Sequence, residues 1–196
     1  MDFSRLFEWL VFGGVILFAI YAMIAIKEEQ TAYVENAHEL EIKNYMFFIP
    51  SWWGRTSDES LEDYISFERL DTRYDWKAEL QWFEGSEELD KLTIDEVLIG
   101  KLRDLKLVFD PEESHAGIPL RLEEFLPYKE GRIDIIHIEG TATENQSERV
   151  YFDSYLIKDL LNNSYLLAKS RSSVLNGGVE GPYFEEMMRS FEFLHQ

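Results

Sequence analysis

A short acidic segment carries side chains of the types that ligate cations. Asp110, Glu112, Glu113 and His115 all fall within the run Asp110-Pro-Glu-Glu-Ser-His115. Hard cations such as Ca²⁺ take about six to eight oxygen ligands, and this run could supply some of them. It lacks the alternating aspartates and the glycine that define an EF-hand loop. The segment is therefore a metal-ligand candidate, with a solvated acidic turn as the alternative interpretation.

Motifs for nucleophilic or phosphate chemistry are absent from the sequence. It contains no G-x-S-x-G elbow, no S-x-x-K motif and no cysteine. Gly177-Gly178 lacks the spacing and the lysine of a P-loop. The four histidines are nowhere spaced at i and i+4, the separation that directs two imidazoles at one metal. His137 lies in an apolar strand, a position more typical of a satisfied sheet residue than of a ligand. We predict no catalytic residue and no cofactor.

Two adjacent tryptophans, Trp52 and Trp53, are candidates for binding a partner. Neighbouring residues on one strand face opposite sides of the sheet, so one of the two indoles is expected to be exposed. An exposed tryptophan near a sheet edge is a typical anchor in protein interfaces. Burial of both rings, or a place at the lip of a ligand pocket, is the alternative.

Hydrophobic patterns in the first half of the chain predict strands that would position these residues. An aromatic strand begins at Tyr45 and ends at Pro50, and a turn follows over Ser51–Gly54. Another strand is expected over 63–70. Residues 76–82 alternate apolar and polar side chains, which is the period of a strand with one buried face.

The second half predicts a helix, an antiparallel meander and a closing helix. Thr93 and Glu96 fit a capping box, and an apolar stripe follows them. The next three strands are separated by connections that permit hairpins but not parallel crossovers. They are expected over 132–141, 149–158 and 165–173. Asn176–Gly178 is expected to end the meander, and Gly181-Pro182 to open the last helix with proline at its first position. This order is typical of an α+β fold, an antiparallel sheet with helices packed on it.

The N-terminal run from Trp9 to Ile26 holds eighteen residues without a charge or a proline. As a helix it would be about 27 Å long, close to the hydrocarbon thickness of a bilayer. A cleaved signal peptide is the alternative, but the alanines here do not place small residues at both −1 and −3 from a cut. We expect a signal anchor over residues 1–26, a polar stalk over 27–43 and a soluble acidic domain over 44–196.

Flanking charges predict the orientation of this anchor. Arg5 and the terminal amine precede it, whereas Lys27 follows it. The positive-inside rule then favours a cytoplasmic N-terminus and an exported C-terminal domain. The expected localisation is a single-pass inner (plasma) membrane protein with a periplasmic or otherwise extracytoplasmic domain.

Charge and cysteine content exclude several classes of function. The chain has 38 acidic and 19 basic residues, a net charge of −19. Such a surface repels nucleic acid, so nucleic-acid binding is disfavoured. The absence of cysteine excludes disulfides and thiolate metal sites. A basic protein partner or a cation fits this charge better.

The chain resembles the PsbP-like family, whose fold is shared with a small nuclear protein that binds the GTPase Ran. The resemblance covers about residues 45–194 and rests on packing patterns. These are Phe47-Phe-Ile-Pro-Ser-Trp-Trp53, the capped helix from Thr93, and Tyr183-Phe-Glu-Glu-Met-Met-Arg-Ser-Phe191. It implies an αβα sandwich and an accessory or binding role rather than an enzyme. The membrane anchor and the acidic middle depart from the family, and no functional residues are carried over.

Together these observations favour a non-enzymatic accessory subunit tethered to a membrane by residues 9–26. Its exported domain would dock on another membrane protein or complex through aromatic residues and an acidic surface. The alternative is a tethered sensor or carrier for a small ligand or a cation.

Overall fold

The computed structural model describes residues 3–70, 75–110, 117–118, 120–121, 132–145 and 147–194. Glu112, Glu113 and His115 of the acidic segment lie outside the described residues. The chain divides into two units, Met1–His38 and Glu39–Gln196.

The first unit is a long helix, α1 (Phe3–Asn36). It includes a span, Phe7–Tyr33, that is long and apolar enough to cross a membrane by length and composition. Many of its large apolar side chains are exposed, as in Trp9 and Phe18. By these criteria alone the helix fits a membrane anchor or a signal sequence near the N-terminus.

The segment 27–43, expected as a polar stalk, contains two kinds of structure. Helix α1 continues through it to Asn36, and strand β1 (His38–Ile42) follows. A three-stranded sheet has the order β1-β2-β11, with β2 at Tyr45–Ile49 and β11 at Glu192–Phe193. The predicted aromatic strand is therefore observed, but its neighbours come from outside the predicted elements.

The main sheet has the strand order β3-β4-β5-β10-β9-β8-β6, and β7 also pairs with β8. Its strands are β3 (Trp53–Arg55), β4 (Tyr64–Arg69), β5 (Lys77–Glu84), β6 (Leu107–Phe109), β7 (Leu120–Arg121), β8 (Ile133–Glu144), β9 (Glu148–Asp159) and β10 (Ser164–Ser173). All of these pairings are antiparallel. The predicted meander is confirmed, since β8, β9 and β10 are successive neighbours.

Helices cover both faces of this sheet. Helix α2 (Ile94–Leu102) begins with the predicted capping box, in which Thr93 and Glu96 each bond the other's backbone. Its apolar stripe packs on one face in a single buried cluster. That cluster includes Ile94, Val97, Leu98, Leu102, Ile136, Ile138, Phe152, Leu156, Tyr165 and Leu167. Helix α3 (Val174–Arg189) packs on the other face, where Phe184 contacts Trp76 and Tyr155. The predicted α+β sandwich is confirmed.

The prediction for the start of α3 is wrong. The helix begins at Val174, eight residues before Pro182, which lies inside it. The carboxylate of Asp75 accepts the Ser173 N–H at 2.9 Å and the Asn176 side-chain amide at 2.5 Å, so a distant residue caps the helix. A proline inside a helix costs about 3 kcal/mol. Packing of the following turns on the sheet offsets this cost, as with Phe184, which is fully buried.

Candidate functional site

Asp110 is the one member of the acidic segment that lies among the described residues. Its Oδ2 accepts hydrogen bonds from Thr141 Oγ1 at 2.7 Å and from Arg149 Nη2 at 2.5 Å. These bonds hold the pKa of the Asp110 carboxyl below its usual range, and the bond from Thr141 has the largest effect. Asp110 thus joins β6 to the β8–β9 hairpin, and its role as a cation ligand stays a prediction.

Trp53 belongs to the core. Its ring is 4% exposed and stacks on Trp76, with ring centroids 4.3 Å apart. Its Nε1 donates a hydrogen bond of 2.9 Å to Glu180 Oε2, on α3. Glu180 is fully buried and also forms an ion pair with Arg69. Trp53 therefore ties β3 to α3 and presents no surface to a partner.

Trp52 is partly exposed and held in a fixed position. The edge of Tyr183 meets its ring at a centroid distance of 5.2 Å and an angle of 85°. The Arg69 guanidinium carbon lies 5.4 Å from the ring centroid, within reach of a cation–π interaction. Trp53 is thus the more buried of the two, and Trp52 lies in the turn just before β3. The role of Trp52 in binding a partner stays a prediction.

An apolar strip of α3 leads to Trp52. Leu175, Val179 and Tyr183 are spaced four residues apart, so they lie on one side of the helix. Leu175 is 85% exposed, and Val179 is also exposed. We call Trp52, Leu175 and Val179 the Trp52 patch.

A second group of polar residues lies on the α3 face of the sheet, across strands β8 and β9. His137 Nε2 and Asp153 Oδ1 are 2.6 Å apart, and His137 Nε2 and Glu139 Oε2 are 3.9 Å apart. One potential ligand atom from each of the three residues lies within 4.8 Å of the others. We call these three residues the His137 cluster.

Neighbouring side chains hold the His137 cluster in place. The Tyr155 ring stacks on the imidazole of His137, with centroids 4.1 Å apart and an angle of 17°. The Tyr151 hydroxyl donates a 3.1 Å hydrogen bond to Glu139 Oε2. Burial raises the pKa of the Tyr151 phenol, so this hydroxyl keeps its proton and acts as the donor.

Asp153 is 2% exposed, and this burial governs its titration. Burial raises the pKa of Asp153 to about 6, because a desolvated carboxylate is disfavoured. The hydrogen bond and charge of His137 oppose this rise, whereas the negative charges of Glu139 and Glu185 add to it. The cluster therefore places a carboxyl in a poorly solvated position where its charged form is disfavoured.

Sequence reasoning did not find this cluster. Histidine pairs at i and i+4 mark a metal site on a helix, whereas the members of this cluster share a face of a strand hairpin. His137 and Glu139 are two residues apart on β8, and Glu139 is directly opposite Asp153 on β9. The detectable signal was a His-x-Glu pair followed across a short turn by an aspartate. This signal identifies the cluster only when the register of the β8–β9 hairpin is known.

Comparison with known proteins finds likeness in structure only. No family model and no curated protein matches the sequence. The structure is similar to cyanobacterial PsbP (CyanoP) from Synechocystis sp. PCC 6803, with a TM-score of 0.56 and 10% identity over 80% of this chain and 92% of that one. It is similar to the Saccharomyces cerevisiae Ran-binding protein Mog1p, with a TM-score of 0.50 and 11% identity over 81% and 96%.

The domain has the Mog1/PsbP-like fold. A mutant form of Mog1 shows the same likeness, with a TM-score of 0.51 and 11% identity over 82% of this chain and 97% of that one. The resemblance inferred from the aromatic strand, the capped helix and the last helix is confirmed at the level of the fold. Identities of 10 to 11% transfer no residue roles to this chain.

Proposed function

We propose that this chain is a membrane-anchored, non-enzymatic accessory protein whose folded domain binds another protein of a membrane complex. Residues 9–26 would hold it in the bilayer. The positive charges before the anchor favour a cytoplasmic N-terminus and an exported domain. The observation that carries the proposal is the Trp52 patch.

The Trp52 patch has the features of an interface anchor. Tryptophan is enriched among residues that dominate binding energy, since its large rigid ring loses little conformational entropy on association. Packing against Tyr183 and Arg69 already fixes the Trp52 ring. Leu175, about two helical turns before Tyr183 on α3, is 85% exposed and gains from removal from water. Binding would thus bury apolar surface at little cost in ordering the domain.

The charge of the chain selects the kind of partner. The chain has a net charge of −19, so it repels acidic proteins and anionic lipid headgroups. A partner with basic residues around an apolar pocket would be attracted over a distance and then bound by the Trp52 patch. Its association rate would fall as salt rises, because such steering is screened.

The fold supports a binding role without specifying a partner. Mog1p, which has this fold, is a Ran-binding protein, so the same architecture serves protein recognition in that case. A fold does not determine function by itself. The proposal therefore depends on the patch and on the anchor, each of which can be tested in this chain.

Affinity purification of the full-length chain from gently solubilised membranes tests the patch. We expect a stoichiometric partner with the wild-type chain, and its loss with Trp52→Ala or Leu175→Asp. Leu161→Asp is the matched control, because Leu161 is also a well-exposed leucine but lies in the β9–β10 turn. Equal recovery of the partner with all three variants would refute a role for the patch.

The anchor is tested by the N-terminal sequence of the mature protein and by alkaline extraction of membranes. We expect an intact N-terminus and retention in the membrane pellet. A mature chain that starts beyond Ala25 and is released by washing would contradict the tethered assignment.

A further inference from the structure

We propose that His137, Glu139 and Asp153 together bind one divalent transition-metal ion, with Zn²⁺ as the best match. The site would lie on the α3 face of the sheet, apart from the Trp52 patch. It is independent of the acidic segment that includes Asp110.

The spacing of the three side chains suits a single ion. Zinc bonds to histidine nitrogen and carboxylate oxygen are about 2.0–2.2 Å long, so tetrahedral ligand atoms stand about 3.4 Å apart. The His137–Asp153 separation of 2.6 Å and the His137–Glu139 separation of 3.9 Å bracket this value. To reach it, the His137–Asp153 separation must lengthen and the His137–Glu139 separation must shorten. Each change is under about 1 Å, within the reach of small side-chain rotations.

The surroundings resemble a prepared metal site more than a surface ion pair. Tyr155 stacks on His137, and the Tyr151 hydroxyl bonds the Glu139 carboxylate. Such outer partners orient ligands and strengthen metal binding. The side chain of Glu139 is 50% exposed, so the buried pair has a route to solvent at this edge. Water could occupy the remaining coordination positions through that opening.

Charge also favours a cation here. The negative charges of Glu139 and Glu185 both act on the Asp153 carboxyl. Arg189, on α3, forms an ion pair with Glu185. Tyr151 and Tyr155 face the same group and stay neutral, since burial raises the pKa of both phenols. A bound dication would neutralise the carboxylates and compensate the burial of Asp153.

The donor set distinguishes among metals. One imidazole and two carboxylates suit Zn²⁺, Co²⁺ or Ni²⁺, whereas Ca²⁺ and Mg²⁺ require six or more oxygen ligands. The site therefore prefers Zn²⁺ to the hard cations.

Metal titration of the full-length chain in detergent tests the proposal, with Zn²⁺ alone as the probe and calorimetry as the readout. We expect one Zn²⁺ per chain and a higher melting temperature with metal. Glu139→Gln should weaken binding by at least about tenfold, since loss of even an outer partner costs 10–100-fold. Because Glu139 is exposed, this variant should fold. His137→Gln and Asp153→Asn should weaken binding further.

Three controls separate this site from other cation binding. His38→Gln and Glu192→Gln change exposed strand residues of the same types, and His115→Gln changes the acidic segment. All three should bind Zn²⁺ as the wild type does. Equal Zn²⁺ affinity in Glu139→Gln and wild type would overturn the proposal. So would loss of binding in His115→Gln, or displacement of Zn²⁺ by equimolar Ca²⁺.

Cobalt provides a second readout. Co²⁺ bound to the wild-type chain should show the visible absorption of a low-coordinate site, and His137→Gln should lose the imidazole contribution to it. An identical spectrum in the two proteins would mean that His137 is not a ligand and that the site is wrongly assigned.

Discussion

Replacing Arg69 with methionine would leave the carboxylate of Glu180 buried without its cationic partner. The two side chains form an ion pair between β4 and α3, with Arg69 8% and Glu180 0% exposed. Breaking a buried pair by removal of one partner costs about 3–5 kcal/mol, because the remaining charge is uncompensated. Total stability of a domain is about 5–15 kcal/mol, so the loss would be a large share of it.

Glu180 has a second partner besides Arg69. Its Oε2 also accepts the Trp53 indole N–H. Replacing Glu180 with glutamine in the Arg69→Met background removes the buried charge and keeps an acceptor for that N–H. We expect the double variant Arg69→Met/Glu180→Gln to recover at least half of the lost stability.

Urea denaturation of the full-length chain in a mild detergent, followed by tryptophan fluorescence, measures these differences. Lys77→Met is the matched control, because the Lys77–Glu68 pair is exposed and such pairs contribute about 1 kcal/mol or less. If Arg69→Met destabilised the chain no more than Lys77→Met, or if the double variant were no more stable than Arg69→Met, the reasoning would be refuted.

Three other predictions concern the α3 face and α2. Gly177→Ala should destabilise the chain, since a Cβ there would lie 2.4 Å from the Tyr151 side chain. Gly178→Ala has open space around it and should be neutral or stabilising by up to about 1 kcal/mol. Thermal melts of the two variants compare these effects. Because the folded pKa of Asp153 is raised to about 6, the folded state takes up a proton more readily and loses stability as pH rises from about 4 to 6. Asp153→Asn should therefore gain about 1–3 kcal/mol in unfolding free energy relative to the metal-free wild type across that range, as measured by urea denaturation. Parallel plots of unfolding free energy against pH for the two proteins would contradict this. Thr93→Ala should cost about 1 kcal/mol through loss of the capping box, whereas Thr93→Ser should be nearly silent in the same assay.

The elements that were predicted well are those whose signals are local. The capping box of α2 and the alternation in β5 each appear within a few residues of sequence. The asparagines of the two meander turns, Asn145 and Asn163, adopt positive φ values of 49° and 44°. Asparagine is one of the few residue types that tolerates this region, so the turns were also visible in the sequence.

The elements that were missed depend on partners distant in the chain. Strands β1 and β11 form through pairing with β2, and neither has a strong pattern of its own. The first half of α3 contains Gly177 and precedes Pro182, so local propensity favours a loop there. Asp75, which lies about a hundred residues earlier in the chain, caps this half of α3. Packing on the sheet also stabilises this half of the helix. Tertiary contacts override helix propensity in such cases.

The same division applies to the two candidate sites. An unbroken apolar run, an acidic composition and adjacent tryptophans are properties of the sequence alone. They determined the apolar N-terminal helix, the net negative charge of the chain and the expectation of one exposed indole. That Trp53 is the buried indole depended on its packing against Trp76 and its hydrogen bond to Glu180. The meeting of His137, Glu139 and Asp153 depended on the β8–β9 register. Composition and periodicity are summed along the chain, whereas a site is made by side chains brought together across strands, and only folding sets that alignment.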